Sequence, residues 1–315
     1  MAYRKVLIPV DFSEYSETAF RYALSFAKQT GARLSLAHVS TALHCSRTEL
    51  YGDSPELDDA LRAHVQRLQR QISRYIGEAN REDVPVDYAI LEADDVVNKL
   101  LDYLAEHAYD LVIMGTHGRT GLKHLFLGSI AEKIVRYSPV PVLTLHKCAG
   151  DCRIRKILVP VDFSRHSLEA IENAVDLAQG LGGSVMLLHV IERVIYPAFY
   201  PEGYTPVIDF EPQLHQRIMN KLNHLIENYP GISVDARISA GKPSDEIIEH
   251  ARSHNAGLIV MATRGLSGLE HLLVGSTTER VMRLSEVPVL AFRTAPDRSP
   301  APTANYQNDT GRIEK

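Results

Sequence analysis

Short continuous apolar runs alternate with amphipathic stretches along the whole chain. Val6-Leu7-Ile8-Pro9-Val10 is such a run, the pattern of a strand buried on both faces. Residues 14–29 follow with Phe20, Leu24 and Ala27 on one side, which predicts a helix closing before Gly31. Leu34 to Val39 reads as a second strand. Leu57, Leu61, Val65, Leu68, Ile72 and Ile76 are then spaced by fours and threes. A stripe of only about three heptads between strands fits a crossover helix laid on a sheet better than a coiled-coil seam. Strands are expected again at 84–91, 109–115 and 140–145, with helices at 94–107 and 129–138. Beyond residue 153 the order repeats, with strands near 155–161, 184–191, 232–239, 256–262 and 287–292. Strand and helix alternating five times predict parallel strands joined by right-handed crossovers. The expected class is therefore α/β, with two repeated, doubly wound, five-stranded parallel-sheet domains.

The repetition extends to the residues themselves. VLIPVDFSEYS at 6–16 returns as ILVPVDFSRHS at 157–167, and MGTHGRTGLKHLFLGS at 114–129 returns as MATRGLSGLEHLLVGS at 261–276. Asp11 matches Asp162, His38 matches His189, Gly118 matches Gly265 and Gly128 matches Gly275, all at a nearly constant offset. The period is far longer than the roughly 20–50 residues of a solenoid unit, so it marks a duplicated domain. The division expected is a first domain at 1–147, a linker at 148–153, a second domain at 154–294, and a disordered, Pro- and Asn-bearing tail at 295–315.

Composition narrows the partners. At 315 residues, with 45% apolar and 23% charged residues, the chain has the make-up of a globular protein. A net charge of −5 provides no general pull toward nucleic acid or an anionic membrane, and neither is expected as a partner. No apolar run approaches the roughly 18–20 residues of a spanning helix, and MAYRKVLIPVDFS enters a strand without a signal-peptide core. Three cysteines fit a reducing compartment, so the expected location is the cytoplasm. His146, Cys148 and Cys152 cluster at the junction of the halves without a recognised zinc spacing, and no metal site is expected. They read as free thiols in a linker, with Cys45 in a loop or core.

Candidate chemistry lies at two strand ends. In open α/β sheets, ligands bind beyond the carboxyl ends of the strands, where strand order reverses. Asp11 directly follows the first strand, and Gly115-Thr116-His117-Gly118-Arg119-Thr120-Gly121 follows the fourth. If these strands are neighbours, the two loops face one crevice. Gly115 and Gly118 are expected to take positive φ and let the backbone approach a ligand. Ser129 and Glu132 stand in capping-box spacing, as do Ser276 and Glu279. A helix start there would offer backbone N–H groups to an anion, with Arg119, Lys123 and His124 nearby. The competing reading is that the glycines only shape a turn and the serines only cap. There is no G-x-x-x-x-G-K-[ST] loop, since proline follows Gly241-Lys242, and no G-x-G-x-x-G after the first strand.

At these residues the sequence resembles the universal stress protein family. Nucleotide-binding members carry G-x2-G-x9-G-[ST] after the fourth strand, and Gly115, Gly118, Gly128 and Ser129 meet it in full. The similarity covers both halves, residues 3–146 and 154–293, and looks like the tandem form of the family. It implies an adenine-nucleotide α-hydrolase-like, Rossmann-like sheet and an adenine-nucleotide site, ATP or another, with or without Mg²⁺. It places Asp11 on the adenine or ribose side, Val39 along the base, and Gly118, Gly128 and Ser129 around the phosphates. Pro9, Met114, Gly115, Arg119 and Ile130 belong to the same implied set. Its counterparts in the second half are Asp162, Val190, Gly265, Gly275 and Ser276.

The second half departs from the motif, with Ala262 for the first glycine and Glu270 where the first half has Lys123. If φ > 0 is needed at that position, a Cβ there costs on the order of 1 kcal/mol. The first half is therefore expected to hold the better site. Residues 192–212 add Tyr196, Phe199, Tyr200 and Tyr204 in a proline-bearing loop, either a lid or a loop folded on its own domain. Val140-Pro141-Val142 and Val287-Pro288-Val289 resemble the family's dimer strand. The two halves are thus expected to pair internally, an arrangement compatible with a further homodimer of chains. Three functions stay open: a nucleotide-binding stress regulator, a slow ATPase, and a nucleotide-free interaction module.

Overall fold

The computed structural model describes residues 3–41, 55–118, 127–146, 152–192, 212–263 and 274–293. The first half runs β1 (Lys5–Pro9), α1 (Glu14–Thr30), β2 (Arg33–Ser40), α2 (Pro55–Arg81), β3 (Val86–Glu92), α3 (Val96–Glu106), β4 (Leu111–Gly115), α4 (Ser129–Tyr137) and β5 (Val142–Leu145). The second runs β6 (Lys156–Pro160), α5 (Arg165–Leu181), β7 (Ser184–Glu192), α6 (Pro212–Glu227), β8 (Val234–Gly241), α7 (Pro243–Ser253), β9 (Leu258–Ala262), α8 (Ser276–Leu284) and β10 (Val289–Phe292).

Local chemistry sets the ends of these elements. Ser13 caps α1 by accepting a hydrogen bond from Ser16 N at 3.3 Å, and Gly31 closes the helix in the left-handed region at φ 74°. Ser164 and Gly182 do the same for α5, and Asp95 caps α3 through Val97 N and Asn98 N. The last strand of the first half starts at Val142, two residues later than the apolar run suggested. Pro141 has no N–H to give to a ladder, and the Ser138 hydroxyl ties down Val140 instead.

Each half pairs its strands in parallel in the order β3-β2-β1-β4-β5, repeated as β8-β7-β6-β9-β10. One antiparallel pairing joins them: Val142 opposite Ala291, Leu143 opposite Leu290, Thr144 opposite Val289. The result is a single ten-stranded sheet. Alternate strand residues feed apolar layers on its two faces. Val6, Ile8, Leu34 and Leu36 pack with Phe20 and Phe26 on one side, and Leu7, Val112 and Leu158 pack with Leu100, Leu104 and Ile134 on the other. Both layers draw residues from both halves.

The junction corrects one expectation. Cys152 is not a free thiol but disulfide-bonded, to a partner outside the described residues, because pairing follows from spatial proximity that spacing alone does not reveal. Gln29 on α1 holds this segment to the first half, accepting from Ile154 N at 3.0 Å and donating to Cys152 O at 3.2 Å. Linker residues 148–151, the 295–315 tail, and residues 193–211 with their aromatic side chains lie outside the described residues.

Candidate functional site

β1 and β4 are neighbours, with Val6 opposite Leu111 and Leu7 opposite Val112. The chain leaves β1 toward β2 and β3 on one side and resumes at β4 on the other, so strand order reverses between them. The Asp11 loop and the Gly115 loop therefore meet beyond the carboxyl ends of these strands, as the doubly wound topology requires. They bound a cleft of about 390 Å³. Pro9, Asp11, Val39, Met114, Gly115, Gly118, Gly128, Ser129 and Ile130 all line it. Arg119, Lys123 and His124 lie outside the described residues.

On the β1 side the backbone is strained in the same way twice. Phe12 sits at φ 62° and Phe163 at φ 62°, where a side chain costs of order 1 kcal/mol or more. Packing holds the first turn: the Phe12 ring lies 4.6 Å from the buried His38 ring, whose Nδ1–H donates to Val10 O at 2.7 Å. Phe163, His189 and Val161 repeat this arrangement. The turn brings the Asp11 carboxylate over the strand end, where Oδ1 accepts from Ser13 N at 3.0 Å and from Ser13 Oγ at 2.6 Å.

On the β4 side Gly115 and Gly128 are required by space against backbone, not by handedness, while a side chain at Gly118 would displace the Asp11 carboxylate. Among the described residues the glycines with positive φ are Gly31, Gly182 and Gly231, so neither Gly115 nor Gly118 is left-handed. A Cβ on Gly115 would lie 2.9 Å from the Tyr15 carbonyl oxygen, and one on Gly118 would lie 2.8 Å from Asp11 Oδ2. One on Gly128 would lie 2.8 Å from Thr116 O, the acceptor of the Gly128 N–H at 2.7 Å. Close approach of two loops excludes side chains here.

The capping box expected at Ser129 is absent. Gly128 is the N-cap of α4 and no side chain caps the helix, while Ser129 is its first residue and exposed. The chain reaches the helix through Gly128 at φ −59°, ψ 142°, one residue earlier than the serine-cap pattern implies. Gly275 likewise caps α8 without a side chain, and Ser276 begins that helix. Where Ser13, Asp95 and Ser164 satisfy the first amides of α1, α3 and α5, those of α4 and α8 are left to a ligand or solvent.

Histidines connect this cleft to the second half. Thr116 is fully buried, with Oγ1 at 3.1 Å from His117 Nδ1 and 2.7 Å from His146 Nδ1. His146 Nε2–H donates to Met282 O, in the last turns of α8, at 3.0 Å. Neutral rings make one consistent chain: His117 donates to Thr116, Thr116 donates to His146, and His146 donates to Met282. His117 Nε2 is then a buried acceptor lacking a partner among the described residues, in a residue that lines the cleft.

The second cleft has a volume of about 640 Å³ and is lined by Asp162, Val190, Gly275 and Ser276, while Gly265 and Glu270 lie outside the described residues. Ala262 lines it as the last residue of β9 and is not in the left-handed region. The strain argued for a Cβ at that position therefore does not arise, because its backbone is ordinary strand paired to Phe292. Sequence reasoning missed Ser40, Thr41, His64, Val96 and Leu100, which complete the wall of the first cleft. The one available signal was His64 falling beside Leu61 and Leu68 in the apolar stripe of α2.

Comparison with known proteins places this geometry. The model of the universal stress protein family matches residues 2–146 and again 153–293. A universal stress protein of Mycolicibacterium smegmatis is 25% identical over 306 residues, covering 91% of this chain and 96% of that protein. One from Methanocaldococcus jannaschii is 32% identical over 145 residues, which is 46% of this chain and 85% of that protein. In fold, the chain is similar to the crystal structure of a universal stress protein from Archaeoglobus fulgidus, with a TM-score of 0.63, 24% identity, and coverage of 92% of this chain and 96% of that one. With both halves matched and the same cleft built at each switch point, the chain belongs to the universal stress protein family and carries its domain twice in tandem.

Proposed function

We propose that the first cleft binds an adenine nucleotide and that its occupancy is read out as a cytoplasmic stress-regulatory signal. The observation that carries this reading is the start of α4, where Gly128 replaces a side-chain cap. Three features of the cleft fit the ligand. The uncapped amides after Gly128 and the bare backbone at Gly118 suit phosphate oxygens. The Asp11 carboxylate stands beside Gly118 and suits ribose hydroxyls. Val39, Leu100 and Met114 offer apolar contact for a base, and His117 Nε2, which has no partner among the described residues, can accept from a donor on the ligand.

The first cleft is proposed to bind more tightly than the second. Exposed Glu192 lines the second cleft beside Ile191, and an anionic ligand would meet its charge there. The slow-ATPase reading has less support. Phosphoryl transfer needs a positioned base and stabilised charge, and Asp11 already spends Oδ1 on Ser13. The paired halves act, in this proposal, as the internal equivalent of a dimer.

Native mass spectrometry of the fresh protein, followed by calorimetric titration with ATP·Mg²⁺, tests the reading. One nucleotide per chain is expected, with affinity reduced at least about tenfold by Gly118→Val, whose side chain would enter the space beside Asp11. Two equally tight sites would overturn the ranking. No binding at millimolar ATP would leave the nucleotide-free interaction module in its place.

A further inference from the structure

A further concavity, of about 370 Å³, shares no lining residue with either cleft. Arg67, Arg70 and Arg74 line it from α2, Glu17 lines it from α1, and Phe12 and Tyr75 supply aromatic wall. The arginines follow a spacing of three and then four residues, which sets them in one row on the helix. Leu68, Ile72 and Tyr75 of the same helix are buried, so the row runs beside the stripe that packs on the sheet. Carboxylates do not balance this row. Both Glu17 oxygens are engaged, Oε1 by Arg21 at 2.6 Å and Oε2 by Arg74 at 3.0 Å. Arg67 and Arg70 are exposed and have no carboxylate partner among the described residues. A chain of net charge −5 thus gathers uncompensated positive charge at one concave place.

We propose that this arginine-lined cavity is a binding site, separate from both clefts, for a small anion that carries two or more linked phosphate groups. A guanidinium is a planar fork of donors that matches phosphate oxygens two at a time. Neighbours three or four residues apart on a helix stand about 5–6 Å from each other at Cβ, so a single-charge ion engages one fork and linked phosphates engage successive ones. From Arg67 to Arg74 the row extends roughly 10 Å along the helix axis. The volume lies within the roughly 300–1,000 Å³ of small-molecule sites, which favours a compact ligand over a segment of chain. Aromatic wall at Phe12 and Tyr75 is a poor dielectric, and a concave site of one sign against such a wall concentrates its field on an anion. Phe12 follows Asp11 directly, so consecutive residues of one turn line this cavity and the first cleft. The inference stands independently of the nucleotide reading.

The experiment is calorimetric titration of the full chain with inorganic tripolyphosphate at an ionic strength of about 0.02 M, where exposed charges are little screened. Wild type is expected to bind it, and Arg67→Gln with Arg70→Gln to weaken binding at least about tenfold. Glutamine keeps helix propensity at these exposed positions, so the melting temperature of that variant is expected to match wild type. Gly118→Val, which fills the space beside Asp11 in the first cleft, is expected to leave this binding event in place. A charge-matched pair elsewhere, Arg4→Gln with Arg33→Gln, is expected to change affinity less than about threefold. Loss of binding in Gly118→Val with retention in the Arg67 and Arg70 variant overturns the inference and assigns the anion to the nucleotide cleft. An equal loss in the two arginine pairs overturns it as a general charge effect. So does failure of wild type to bind at about 1 mM tripolyphosphate, whatever ATP does in its own titration.

Discussion

At the scale of single residues, the protein uses burial to set chemistry. His250 on α7 stacks on His254, with ring centroids 5.1 Å apart and planes 4° from parallel, and its Nδ1 is buried without a partner among the described residues. Burial holds its pKa below the ordinary 6.5, and the neighbouring His254 pushes in the same direction, as does Arg237, while Glu246 and Glu249 oppose. The folded state therefore disfavours protonation relative to the unfolded chain. The stability this contributes is complete above the unfolded value near 6.5 and is lost as pH falls through the lower folded value. Melting temperatures at about pH 7.5 and about pH 5.5 should fall with acid in wild type and fall less in His250→Gln. An equal fall in both would assign the acid sensitivity to other groups.

At the scale of elements, two serines in similar sequence settings do different work. Ser13 caps α1 through Ser16 N and also donates to Asp11. Ser129 is the exposed first residue of α4 and makes no cap. Ser13→Ala should cost about 1 kcal/mol in urea denaturation, the usual value of an N-cap. Ser129→Ala should stay within about 0.5 kcal/mol, since no folded-state contact is lost. A comparable loss from both would mean that Ser129 also satisfies the helix start. The same contrast runs through the described helices: α1, α3 and α5 are closed by side-chain caps, whereas α4 and α8, whose first residues line the two clefts, are not, and neither is α7, which starts on Pro243.

At the scale of the molecule, the antiparallel β5–β10 seam joins the two halves into one sheet, and both apolar layers draw residues from both halves. A single calorimetric transition is expected for wild type. His146 stands at this seam, accepting from Thr116 beside the first cleft and donating to Met282 of α8, the helix whose N-terminus lines the second. His146→Ala leaves Met282 O without this donor and the buried Thr116 hydroxyl with one partner fewer. A loss of about 1–3 kcal/mol is expected, the range for an unsatisfied buried group, with the mid-point of thermal unfolding as the measurement. No change would show that solvent replaces the histidine at both contacts. Among the described residues, no helix is long and apolar enough to cross a membrane.

Read alone, the amino-acid sequence determined the alternation of strands and helices, the duplication, and the two loops that carry Asp11 and Gly118. Those are properties of spacing along the chain: a strand buried on both faces is an apolar run, and a repeated loop repeats its glycines. Tertiary structure decided what those residues do. Pairing of β1 with β4 made two distant loops into one cleft. The nearness of the Tyr15 and Thr116 backbone, and not a left-handed backbone, made Gly115 and Gly128 necessary, and set Gly118 against the Asp11 carboxylate. Helix α2 brought His64 to Ser40, a contact no local pattern announces. Hydrogen-bond partners and free volume depend on residues far apart in the chain, so only the folded molecule assigns them.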